Sequence, residues 1–405
     1  MDVGSVPERL GLSKERLGRI RTWMQRYIDE AKLPGATTLV ARHGEVAFSQ
    51  TLGYGDLEKK KPLTQDSILR FYSMTKPVTA VAVMMLYEQG IFQLDDPLSA
   101  FIPAFRDMKV YQSGPAENPV TKPADKSITI RELMTHTSGL TYGMENEGAV
   151  PELYLKWKTE FNPNNGPLEA VVNRLAKIPL EFQPGSRWEY SVSFDVLGRL
   201  VEIISGKSLD IFFREHIFEP LGMIDTGFHV PESKLDRFVS LYERTQESDL
   251  SLVERGEDSP LVDAVETLSG GGGLVSTLDD YFRFTEMLRR KGELDGQRLL
   301  GRKTVEFMTC NHLPGDLADM GQPTFCETTY EGIGFGLGIS VMLDPAKAKI
   351  VGTPGEYAWG GYASTAFWID PVEDLTVIFL TQLIPSSAYP IRRELRVLTY
   401  QALIA

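Results

Sequence analysis

Ser73-Met74-Thr75-Lys76-Pro77, followed by Val78-Thr79-Ala80-Val81-Ala82-Val83-Met84-Met85-Leu86, is the stretch on which this chain turns. Its second half is apolar nearly all round, and a helix of that kind is buried in a core, not laid on a surface. Pro77 donates no bond to the carbonyl four residues back, so the helix is expected to begin at or just before Ser73. Ser73 and Lys76 then share one face, with Cβ atoms roughly 5–6 Å apart. A lysine at the entry of a buried helix is desolvated and faces the positive end of the helix dipole. Both effects favour the neutral amine, which can act as a base toward a neighbouring hydroxyl. Ser-x-x-Lys is a loose pattern that chance alone supplies in a long chain. Here it occurs once, and it puts its lysine where an unpaired ammonium is costly.

The chain has 405 residues, 42% hydrophobic and 24% charged, and a formal net charge of −13. That composition fits a globular protein of one large domain or two. An acidic balance with no basic patch argues against nucleic acid and anionic membrane as partners; Glu58-Lys59-Lys60-Lys61-Pro62 is a short solvated turn. The apolar stretches near 78–86 and 374–383 are too short to span a bilayer. Met1-Asp2-Val3-Gly4 opens with neither a basic nor an apolar leader region, which sets the expectation of a cytoplasmic protein. Cys310 and Cys326 lack metal or redox spacing, and His43, His136, His216, His229 and His312 are scattered. No metal or other cofactor is expected.

Residues 13–32 carry Leu17, Ile20, Trp23, Met24 and Tyr27 at helical spacing, and two strands, 36–42 and 45–52, are expected to join at His43-Gly44. Residues 97–187 mix short helices with polar loops such as 112–126. Thr129-Ile130-Arg131-Glu132 is a capping box, with Gly139 as the expected stop of its helix. A further helix is expected over 193–206, a surface loop over 246–262, and a helix over 277–290 after the glycine run Gly270–Gly273. Asp279-Asp280 suit that helix's N-terminus. Strands over 334–343, 363–369 and 374–381 and a terminal helix from about 389 complete the chain. Strands at both ends with a helical insert between them predict an α+β fold: an antiparallel sheet flanked by helices, with a mostly helical inserted region.

Two other segments offer pieces of a site. Gly185-Ser186-Arg187-Trp188-Glu189-Tyr190-Ser191 brings a tyrosine to a helix entrance, either reaching into a cleft or anchoring a loop. In Ala358-Trp359-Gly360-Gly361-Tyr362, paired glycines before a strand permit close backbone approach to a ligand, and equally suit a bulge or tight turn. Gly206-Lys207-Ser208 is no phosphate loop, since Val201 stands where the first glycine belongs. No Gly-x-Ser-x-Gly elbow occurs.

These pieces, in this order, resemble the serine β-lactamase and penicillin-binding-protein superfamily, and within it the class C β-lactamase-like carboxylesterases of family VIII. The resemblance runs from Leu33-Pro34-Gly35-Ala36 to the terminal helix. It rests on Ser73-Met74-Thr75-Lys76-Pro77, Thr135-His136-Thr137-Ser138-Gly139-Leu140, Pro220-Leu221-Gly222-Met223, Gly271-Gly272-Gly273-Leu274-Val275-Ser276-Thr277 and Trp359-Gly360-Gly361. It implies Ser73 as the acylated nucleophile, Lys76 as its base partner and Tyr190 as the tyrosine that relays protons and serves in deacylation. The backbone N–H groups of Ser73 and Tyr362 would form the oxyanion hole, with Trp359, Gly360 and Gly361 against the substrate. The His136 segment would be structural. Residues 1–96, 188–300 and 330–405 would form the sheet domain and 97–187 with 301–329 the helical one, the site lying in the cleft between them.

Two departures bear on substrate. Trp359-Gly360 stands where the family's Lys/His-Thr/Ser pair holds a substrate carboxylate, and Val192 replaces the asparagine two residues after Tyr190. Ser193 is one place too far to substitute. The expected activity is therefore hydrolysis of neutral small-molecule esters with short to medium acyl chains, with an acyltransferase, a β-lactamase or D-alanyl carboxypeptidase, and a non-catalytic scaffold as alternatives.

Overall fold

The computed structural model describes residues 7–144, 146–160, 162–245, 250–262, 264–325, 328–386 and 388–405; Cys326 and residues 246–249 of the expected acidic loop lie outside them. After helix α1 (Lys14–Asp29) come strands β1 (Gly35–Arg42), β2 (Glu45–Asp56) and β3 (Lys61–Pro62), then helices α2 (Thr75–Glu88), α3 (Ile130–Met134), α4 (Ser193–Ser205) and α5 (Leu278–Arg289). The last third supplies β4 (Ile333–Phe335), β5 (Ser340–Met342), β6 (Tyr357–Gly360), β7 (Ala366–Asp370), β8 (Leu375–Thr381) and helix α6 (Ile391–Tyr400).

These strands form one eight-stranded sheet in the order β4-β5-β6-β7-β8-β1-β2-β3, antiparallel at every pairing. β1 lies beside β8, from Ala36 opposite Thr381 to Arg42 opposite Leu375, so the two ends of the chain close the sheet as the strand pattern predicts. The β1–β2 turn at His43-Gly44 has positive φ at both residues, the twist that suits a two-residue hairpin. On one face α1 and α6 cover the sheet, with Trp23 5.7 Å from Phe379. On the other, Tyr281 of α5 meets Phe367 at 5.4 Å. Helix α2 lies inside this second core, and every residue from Met74 to Met84 is buried. It needs no polar stripe because no side of it faces water over that length.

Local expectations are corrected in five places. The helix begun by the Thr129 capping box ends at Met134, well before Gly139, because Thr135 turns its hydroxyl onto the Arg131 carbonyl and His136 adopts φ +56°. The segment 334–343 is two strands, not one, since the chain doubles back where the Gly336 N–H donates to the Ile339 carbonyl. The expected loop 112–126 is largely the turn and second strand of a hairpin, Lys109–Ser113 with Val120–Pro123, and within the expected acidic loop Leu250–Glu254 is a strand paired with Leu241–Arg244. β7 starts at Ala366 because Gly361–Thr365 is a tight turn closed by the Gly361 N–H on the Thr365 carbonyl.

Candidate active site

Ser73 sits in a single 3-10 turn, Tyr72–Met74, which runs directly into α2. Tyr72 is held at φ +42°, a left-handed conformation unusual for a bulky residue, so the serine is delivered by a strained backbone. Pro77 is the third residue of α2, where its missing N–H leaves no gap in the helical ladder. The short pairing of Leu69–Arg70 with Val275–Ser276 draws the glycine run against the start of the helix. The Phe71 N–H donates to the Leu274 carbonyl at 3.0 Å, and the Leu274 N–H donates to Thr75 Oγ1 at 3.1 Å.

Lys76, fully buried, aims its terminal nitrogen back at the serine: Nζ stands 3.2 Å from Ser73 Oγ, 3.2 Å from the Tyr142 hydroxyl and 2.7 Å from the Gly271 carbonyl oxygen. The carbonyl is an acceptor only, so one N–H is committed to it in either protonation state. From the other side the Tyr190 hydroxyl reaches Ser73 Oγ at 2.5 Å, and Lys76 Nζ lies 4.5 Å from the centre of the Tyr190 ring. Ser73 and Lys76 of one tetrapeptide and Tyr190 of a distant segment thus converge within hydrogen-bonding distance.

Tyr190 owes its place to the segment 135–141. The Glu189 N–H donates to the His136 carbonyl, and the Gly185 N–H donates to that of Thr137. Beneath the tyrosine, His136 is walled in by Trp188, Tyr190, Phe194 and Phe335, with its Nδ1 3.0 Å from Ser191 Oγ. Burial, and then the charge of Lys76, hold its imidazole well below the ordinary histidine value. Ser193 hydrogen-bonds Ser191 and Ser138, and Val192 is buried among apolar side chains, so neither offers an amide to a ligand.

The end of β6 forms the opposite wall. Trp359 lies 5.7 Å from Tyr190 and 5.4 Å from Phe335, ring centre to ring centre. At Gly361 an added Cβ would stand 2.4 Å from the Phe71 carbonyl oxygen, so only glycine lets this strand end press against the turn that carries Ser73. Tyr362 follows at once, its half-exposed ring edge-on to Tyr72 at 5.7 Å. Between the walls opens a cavity of about 260 Å³ lined by Ser73, Tyr190, Tyr330, Trp359, Gly361 and Tyr362 among others.

Sequence reasoning missed Tyr142, the Gly271 carbonyl and the buried Asp195. Tyr142 stands just beyond the Thr135–Leu140 motif and Asp195 inside an otherwise apolar helix start, which are the signals that could have marked them. Among the described residues no group of His, Cys, Asp or Glu is placed to hold a metal ion, and no helix is long and apolar enough to cross a membrane.

Residues 20–401 match the Beta-lactamase family. The chain is 34% identical over 363 residues to an uncharacterized protein of Mycobacterium tuberculosis, covering 88% of each. It is 32% identical over 383 residues to the esterase EstB of Burkholderia gladioli, covering 90% of this chain and 89% of that one. Among solved structures, EstCE1, a hydrolase with promiscuous acyltransferase activity, superposes with a TM-score of 0.80 at 28% identity, over 96% of this chain and 99% of its own.

Proposed function

The chain belongs to the beta-lactamase family, and we propose that within it the protein is a serine carboxylesterase acting through a Ser73 acyl-enzyme. The observation that carries this is the convergence of Lys76 Nζ and the Tyr190 hydroxyl on Ser73 Oγ, at 3.2 and 2.5 Å, at the edge of the cavity. Likeness to the esterase EstB supports the same chemistry.

In this mechanism Ser73 Oγ attacks the ester carbonyl carbon while its proton passes to the neutral Lys76 amine. The backbone N–H groups of Ser73 and Tyr362 stabilise the developing oxyanion. Tyr190 protonates the departing alcohol and recovers its proton from Lys76. Water then enters, gives a proton to the same pair and attacks the acyl carbon, releasing the acid and restoring Ser73. Trp359, Gly360 and Gly361 bound the acyl group. The cleft falls between a sheet part, residues 1–96, 188–300 and 330–405, and a helical part, 97–187 and 301–329.

Neutral esters suit this cavity better than β-lactams. Trp359-Gly360 brings an aromatic wall where the family's Lys/His-Thr/Ser pair stands, Val192 and Ser193 are turned inward, and Arg392, which lines the cavity beside Gly360, donates to the Ser386 and Thr365 carbonyls. At about 260 Å³ the cavity is smaller than the ~300–1,000 Å³ of drug-sized ligand sites, which favours short to medium acyl chains. Two cysteines in 405 residues, without the spacing of a disulfide framework, accord with a cytoplasmic location. Similarity to EstCE1 favours a second outcome of the same acyl-enzyme, transfer to an alcohol, which added acceptor alcohol would reveal as ester product.

The test is turnover of p-nitrophenyl butyrate beside a chromogenic cephalosporin, in the wild type and Ser73→Ala. Ester turnover lost in the variant, with little cephalosporin turnover, is the expected result. Efficient cephalosporin turnover would contradict the substrate assignment, and activity surviving in Ser73→Ala would contradict the mechanism.

A further inference from the structure

The mechanism leaves two features without a role: the glycine run Gly270–Gly273, and the carboxylate of Asp195, buried at the third position of α4. They meet each other. Asp195 Oδ1 accepts the Ser269 hydroxyl at 2.5 Å and the Gly271 N–H at 3.2 Å. Gly271 turns its carbonyl the other way, onto Lys76 Nζ at 2.7 Å. The run is tied down on both flanks, since the Gly270 carbonyl accepts the Thr79 hydroxyl and the Gly272 N–H donates to Ser269 Oγ. A Cβ at Gly271 would stand 2.9 Å from Asp195 Oδ2 and 3.3 Å from the Tyr142 hydroxyl. Any side chain there would force apart the carboxylate and the phenol that touches the lysine.

We infer that Asp195 is a positioning residue for Lys76: through Ser269 and Gly271 it fixes the carbonyl that holds the lysine beside Ser73, and it supplies the negative charge that the lysine faces across that glycine. This rests on the assignment of Lys76 as the base of Ser73. A carboxylate with one oxygen accepting two hydrogen bonds and the other, Oδ2, without a hydrogen-bond partner is costly to bury. Burial pushes its carboxyl up, while the Ser269 hydrogen bond and the charge of Lys76 pull it back. The attraction is mutual. Burial alone would drive Lys76 toward the neutral amine, and Asp195 opposes it, keeping a base whose proton affinity suits both taking and returning a proton. The other titratable groups facing Lys76 are Tyr142 and Tyr190, with His136 behind Tyr190.

Asp195→Asn keeps the shape and removes the charge. With p-nitrophenyl butyrate, kcat at the plateau should fall roughly tenfold to a hundredfold, less than the ~10²–10⁴ that a whole base contributes. KM should change little, because Asp195 does not line the cavity. The acid limb of kcat/KM should move to lower pH by about one unit, since a lysine relieved of its counter-charge loses its proton more readily. A residue that merely holds the fold would lower activity without moving that limb. Ser269→Ala, which removes one donor to the carboxylate, should move the limb the same way by less, and it is the variant to read if Asp195→Asn does not fold. An acid limb superimposed on the wild type in whichever of the two folds would overturn the role of Asp195. That outcome leaves the esterase assignment standing if Ser73→Ala is inactive, whereas turnover by Ser73→Ala would remove the assignment itself.

Discussion

The Tyr190 hydroxyl lies 2.5 Å from Ser73 Oγ, closer than Lys76 Nζ at 3.2 Å. Two groups able to carry a proton therefore flank one nucleophile, and Lys76 lies under the tyrosine ring at 4.5 Å from its centre. Such an arrangement separates the group that takes the serine proton from the group that delivers a proton to the leaving alcohol.

Tyr190→Phe tests that division. Its ring contacts with His136, Tyr142 and Trp359 would be retained, so the fold should hold. Loss of the hydroxyl should lower kcat for p-nitrophenyl butyrate about 10²–10⁴-fold with KM little changed. Wild-type kcat in the variant would mean that Lys76 alone moves the protons.

Gly361→Ala should act on the oxyanion hole. The new methyl would stand 2.4 Å from the Phe71 carbonyl oxygen and 2.3 Å from Thr365 Oγ1, so the end of β6 must retreat from the Ser73 turn. The Tyr362 N–H would retreat with it. A fall in kcat of about 10²–10³ is expected, the scale of losing one oxyanion donor. Steady-state kinetics on a variant with wild-type melting behaviour checks this, and unchanged kcat would place the oxyanion donors elsewhere.

What could be read in the sequence was what depends on neighbours along the chain. The apolar run after Lys76 defines a buried helix by composition, and His43-Gly44 marks a hairpin between two strands. The same locality explains the errors. Thr135 and His136 end α3 through a side-chain bond and a positive φ that no residue pattern announces, so Gly139 looked like the stop. Two partners of Lys76 are 66 and 195 residues away, at Tyr142 and Gly271, and only the folded chain reveals that a glycine carbonyl holds the lysine. Asp195 is a helix-start carboxylate in the sequence and a buried charge in the structure.

The C-terminal helix is held by a buried ion pair. Arg396 of α6 donates to Glu356, which also accepts the Tyr400 hydroxyl at 2.5 Å, and Tyr400 reaches Asp370 at 2.8 Å. Arg396→Ala strands the Glu356 carboxylate in the core and should destabilise the protein by about 3–5 kcal/mol. Pairing it with Glu356→Gln should recover part of that loss, because the stranded charge is then gone. Urea unfolding of the two variants decides this; equal stability of Arg396→Ala and wild type would mean the pair is solvated.

His136 should make the fold sensitive to mild acid. Its ring is fully buried beneath Tyr190, and burial, with the Lys76 charge second, depresses its proton affinity below the ordinary value of 6.5. The unfolded chain therefore binds the proton first. Stability from the neutral imidazole is complete above pH ~6.5 and is lost as pH falls below that value toward the depressed folded one. Asparagine tolerates the positive φ at this position and does not titrate, so His136→Asn is the fitting control. The variant will be less stable throughout, having lost packing against Trp188 and Phe335. The decisive quantity is the slope: melting temperature should fall more steeply from pH 6.5 to 5 in the wild type than in His136→Asn. Parallel curves would show that His136 takes up its proton in the folded protein as readily as in the unfolded chain.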